Sequence, residues 1–118
     1  MPKARNRWER AVQVFRWAQA TYELPSDTGF ELVPDIDRGK TFGQLILRGD
    51  RYVIQLSARA CPTTHDAVYN TLHECAHLKL QEKGLGDAHG PYFWKTFGRM
   101  VDDYDAHGNV DSEAFEKE

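Results

Sequence analysis

Two cysteines in 118 residues are too few for a disulfide scaffold, and Cys61 and Cys75 lack the spacing of a cysteine-knuckle metal site. No apolar run approaches the roughly 20 residues that a membrane-crossing helix needs, so no membrane partner is expected. The basic start, Met1 to Arg7, leads into an amphipathic segment and not into an apolar stretch of signal-peptide type. A cytoplasmic protein with two free thiols is the expectation, with Cys75 facing the core. A net charge of −3 argues against a surface that grips nucleic acid all round. There are no internal repeats and no low-complexity linker, and the length fits a single domain, residues 1–118.

What is present is a globular composition, with three Trp, five Tyr and six Phe. Its charge is unevenly spread. Residues 1–22 carry Lys3, Arg5, Arg7, Arg10 and Arg16 against Glu9, a net of +4. Residues 101–118 carry seven acids against Lys117, a net of −6. The acidic tail, from about 105 to 118, reads as a solvated end.

The most informative stretch is His73-Glu74-Cys75-Ala76-His77. Two histidines four apart leave one face of a helix a turn apart, and Glu74 beside them can reach a water on a metal. The flanks supply the helix. Thr63 is placed to cap it, Ala67, Val68, Leu72, Cys75, Ala76 and Leu80 recur at helical spacing, and Gly84 suits the C-terminal cap. The helix is expected over about 64–83. His89 follows after a loop and completes three imidazoles, which with an open fourth position make a catalytic rather than a closed zinc site. His65 and His107 read as surface residues. Asp87 lies close enough to His89 to orient its ring, although a solvated loop carboxylate is the simpler reading.

Elsewhere, residues 4–23 read as a helix with Trp8, Ala11, Val12, Phe15, Ala18 and Tyr22 on its core stripe. Trp17 falls on the opposite side with Lys3 and Arg10. Arg7, Arg10 and an exposed Trp17 make a candidate contact for single-stranded DNA, weak and salt-sensitive. The alternative is that the domain covers this helix on two sides. Short strands are expected at 30–34, 41–48 and 51–57, the last two joined by a tight turn at Gly49-Asp50. In the last strand Tyr52, Ile54 and Leu56 should form the single buried face. A final helix should begin near Pro91, with Phe93, Trp94, Phe97, Met100 and Val101 as its apolar stripe. The fold class is therefore α+β: an N-terminal helix, a three-stranded sheet, a metal-binding helix and a C-terminal helix.

Three pieces carry a family resemblance: Ile54-Gln55-Leu56-Ser57, Thr71-Leu72-His73-Glu74-Cys75-Ala76-His77-Leu78, and His89-Gly90-Pro91-Tyr92-Phe93-Trp94. With the element order they make the chain resemble the SprT-like metalloprotease domain, which includes the Spartan proteases of DNA–protein crosslink repair. The resemblance implies a small gluzincin-like, zincin-type fold, Zn²⁺ on His73, His77 and His89, and a protein or peptide substrate that includes DNA-associated proteins. The chain has too few cysteines for the zinc ribbon that many SprT-like proteins carry, so the protease chemistry transfers further than the repair role. In that chemistry zinc lowers the pKa of a water from 15.7 toward roughly 7, Glu74 takes its proton, and Tyr92 and Tyr104 are candidate donors to the oxyanion. Two other readings compete: a regulatory peptidase of ImmA-like type, which lacks the His-Gly-aromatic continuation, and a zinc-stabilised binding module, which has no need of Glu74.

Overall fold

The computed structural model describes residues 3–85 and 89–108. Asp87 and the acidic residues beyond Gly108 lie outside the described residues. The elements run α1 (Arg7–Thr21), β1 (Gly29–Val33), β2 (Gly43–Arg48), β3 (Arg51–Ser57), α2 (Thr64–Glu82) and α3 (Pro91–Gly108), with a short 3₁₀ turn at Asp37–Gly39. This is the expected α+β order. No helix among the described residues is long and apolar enough to cross a membrane.

The first helix starts three residues later than its pattern suggests, because Asn6 caps it. The Asn6 Oδ1 accepts a hydrogen bond from the Glu9 amide at 2.9 Å. Its buried residues are Arg10, Ala11, Val14, Phe15 and Ala18, one broad face that extends past the expected stripe to Arg10 and Val14. The reason is that α1 is covered on two sides. Phe15 stacks on Phe30 of β1, with centroids 5.0 Å apart, while Trp17 meets Tyr104 and His107 of α3 at 5.7 and 5.5 Å. Trp17 is thus half-buried and Arg10 is 1% exposed, in keeping with the reading in which the domain covers this helix on two sides.

The sheet has the order β1-β3-β2, with β1 parallel to β3 and β2 antiparallel to it. The β2–β3 hairpin turns at Gly49-Asp50 as expected, with Gly49 at φ +68°. Because β3 is central, burial is not confined to its one expected face: Val53 and Ser57 are fully buried together with Ile54 and Leu56. On the face away from the helices, Gln44 Nε2 donates to Gln55 Oε1, Gln55 Nε2 donates to Glu31 Oε1, and Arg48 closes the row with a 2.7 Å bond to Glu31.

The core lies between the sheet and the helices, with α2 at its centre. Thr63 Oγ1 accepts from the Asp66 amide and starts α2 as its cap. Gly84, at φ +71°, follows its end. In α3 the buried stripe is Phe93, Phe97, Met100 and Tyr104. Trp94, assigned to that stripe by sequence, stands 52% exposed, because a residue next to Phe93 is about 100° round the helix from it.

Candidate metal centre

The helical period places His73 and His77 on one side of α2, and the start of α3 brings His89 to meet them. Their Nε2 atoms converge: 3.2 Å from His73 to His77, 3.2 Å from His73 to His89, and 3.0 Å from His77 to His89. Three tetrahedral Zn–N bonds of about 2.0–2.1 Å would hold their nitrogens about 3.3 Å apart, so the observed triangle fits such an ion to within a few tenths of an ångström. The donor set fits as well. Neutral imidazoles protonated on Nδ1 turn three lone pairs toward one point, an arrangement that a cation relieves. Burial, with the neighbouring His77 and His89, pushes the His73 pKa down to about 4, which keeps that ring in its neutral, ligating form near pH 7.

Aromatic rings hold this triangle. Phe93, fully buried, stacks on His77 with centroids 4.4 Å apart and meets His73 and His89 edge-on at 4.9 and 4.7 Å. Phe97 touches His73 at 5.3 Å, and Trp94 approaches His89 at 5.8 Å. Sequence reading assigned Phe93 and Phe97 to the core and missed their place in the site. The available signal was the run of aromatics four, five and eight residues after His89.

Glu74 is only 5% exposed. Burial raises its carboxyl pKa to about 7. Its Cγ lies beneath β2, where a Cβ built on Gly43 would stand 3.4 Å from it, 3.0 Å from the Gln55 carbonyl oxygen and 3.0 Å from Leu56 Cδ2. Gly43 thus lets this edge strand approach the carboxylate closely, a role that no sequence pattern flagged. Cys75 is fully buried, and both thiols are free. Burial pushes the Cys61 thiol up to about 11 and raises that of Cys75 further, so neither is a reactive thiolate at neutral pH.

The other sequence candidates are placed elsewhere. Tyr92 is on α3 beside Phe93 but exposed, lining a groove with Lys79 and Lys95. Tyr104 is buried seven residues beyond Phe97, about 10 Å further along α3, against Trp17. Arg7 donates from Nε to the Cys61 carbonyl and lies 4.5 Å over the Trp8 ring. With Arg10 buried and Trp17 packed among aromatics, the three do not form the open face that the candidate single-stranded DNA contact requires. His65 is exposed as expected and stacks on Tyr69, while His107 is exposed but stacked on Trp17. In comparisons with protein-family models, with curated proteins and with solved structures, nothing matches this chain.

Proposed function

We propose that this chain is a zinc-dependent endopeptidase of SprT-like type that hydrolyses peptide bonds in protein substrates, DNA-associated proteins being the class the resemblance implies. The observation that carries the reading is the pairing of a buried carboxyl, Glu74, with three convergent imidazoles one residue before, three after and fifteen after it. His73, His77 and His89 would hold the ion, whose chemistry is to acidify water and polarise a carbonyl. Glu74 takes a proton on a carboxylate oxygen and returns it to the leaving amine. In the metal-free chain burial alone raises this carboxyl to about 7, so its surroundings favour the protonated form that the transfer passes through. Phe93 excludes water from one side of the imidazoles.

An extended substrate chain has a strand to lie along. Among the described strands β2 pairs only with β3, so its outer edge offers main-chain donors and acceptors next to Glu74. Tyr69, one turn before His73 and edge-on to Phe97 at 4.8 Å, leads from the imidazoles into a cavity of about 670 Å³ floored by Val68 and Leu72. That cavity suits an apolar side chain. A cytoplasmic location accords with the two free, buried thiols.

The test is cleavage of an unfolded protein, such as casein, by zinc-loaded wild type and by Glu74→Gln. The variant should bind zinc as wild type does and lose about 10²–10⁴ of the rate. Equal rates would remove Glu74 from the mechanism, and no cleavage by either would leave a zinc-binding module without this chemistry.

A further inference from the structure

On the far side of α3 from the imidazoles lies a second concavity, about 290 Å³, between the C-terminal half of α2 and the first half of α3. Two cations stand on each wall: Lys79 on α2 with Lys83 capping its end, and Lys95 and Arg99 on α3. Each pair is spaced i,i+4, the spacing at which like charges on a helix face one another and repel. The helix dipole accounts for lysines at the end of α2. It does not account for Lys95 and Arg99 near the start and middle of α3.

Acid neutralises little of this charge. Arg99 Nε stands 3.9 Å from Asp103, whose carboxylate already accepts the Tyr22 hydroxyl hydrogen bond at 2.7 Å. Lys79 Nζ donates to the Tyr22 carbonyl at 2.7 Å. Lys83 and Lys95 have no acidic partner among the described residues, and both are exposed. At the mouth Tyr92 presents its ring, 68% exposed. The walls therefore offer several cations at short range and one flat apolar surface, in a space too small for a folded partner.

We propose that this groove binds a multivalent phosphate anion, its charges shared between the α2 and α3 walls. Two sources supply that chemistry, a free oligophosphate and the backbone of a nucleic acid strand, and Tyr92 distinguishes them because only the strand brings a base to stack. The site does not depend on the peptidase reading, and its test does not measure hydrolysis.

The metal-free full chain is titrated with sodium tripolyphosphate by calorimetry and with a fluorescein-labelled oligothymidylate by anisotropy. Binding at low salt is expected, weakening as salt rises with a log–log slope of about −2 to −3. Lys83→Glu/Lys95→Glu should weaken both probes by about tenfold or more. Lys3→Glu/Arg16→Glu makes the same change in net charge on exposed α1-side positions and should alter binding by less than about twofold. Unfolding curves matched to wild type check that both double variants are folded. Tyr92→Ala weakens only the oligothymidylate if the ligand is a strand and neither probe if it is free phosphate. Absence of binding by both probes, or equal losses in the two double variants, overturns the site.

Discussion

The Phe93 ring lies against the His77 ring, 28° from parallel and 4.4 Å between centroids, so the first turn of α3 is also one wall of the three-histidine cluster. Packing and ligand geometry therefore rest on one side chain. Phe93→Ala should cost about 3–5 kcal/mol in denaturant unfolding. Phe93→Leu should keep the fold but loosen His77, weakening zinc about tenfold or more in a competition titration. Unchanged zinc affinity in the Leu variant would reduce Phe93 to a core residue.

His89 makes a different prediction, because it is exposed. His89→Ala should leave the stability of the metal-free protein within about 0.5 kcal/mol of wild type. Its zinc affinity should fall by more than about 100-fold, beyond what loss of a residue outside the ligand set costs. Elemental analysis after dialysis, paired with a thermal melt in chelator, separates the two effects. Full retention of zinc would remove His89 from the centre.

Two groups give the metal-free protein a pH dependence of opposite sign. The folded-state pKa of Glu74 is raised to about 7 by burial, so its stability contribution is fully present below the unfolded value of 4.5 and is lost as pH rises through 7. The His73 pKa is lowered to about 4, so its contribution is present above 6.5 and is lost as pH falls toward 4. Glu74→Gln removes only the first effect. In chelator it should exceed wild type in stability by about 3 kcal/mol at pH 8, and the gap should shrink to about 1 kcal/mol at pH 5. A gap independent of pH would mean that burial does not hold the Glu74 proton.

Two glycines make a matched pair. A Cβ on Gly43 would meet the Gln55 carbonyl oxygen and Leu56 Cδ2 at 3.0 Å, whereas one on Gly98 in α3 would meet nothing within 4 Å. Gly43→Ala should cost about 1–3 kcal/mol, because backbone cannot move aside as a side-chain tip can. It should also lower the rate of any hydrolysis that uses Glu74. Gly98→Ala should instead raise stability by about 0.5–1 kcal/mol, the helix penalty of glycine. Chemical denaturation of the two variants side by side is sufficient, and the reverse order would contradict the close approach of β2 to α2.

Much of the frame was legible because it is local. The period of α2 puts His73 and His77 on one face in any chain that makes that helix, and Thr63 and Gly84 mark its ends by side-chain chemistry and backbone freedom alone. Gly49-Asp50 likewise announces its hairpin, and Pro91 the start of α3. Even His89 could be named from sequence. Its meeting with the other two rings could not, because that requires α3 to return across α2.

Tertiary structure alone decided the environments. Arg10 and Trp17 look outward on a helical wheel, but two layers cover α1, since burial depends on which elements pack around a helix and not on its own period. The parallel pairing of β1 with β3, which leaves β2 on an edge beside Glu74, joins segments more than twenty residues apart. The Glu74 proton is the clearest case. The sequence determined that a carboxylate stands next to His73, whereas only the packing of β2 and the core around it, by withholding water from the charged form, decided that it titrates near neutrality.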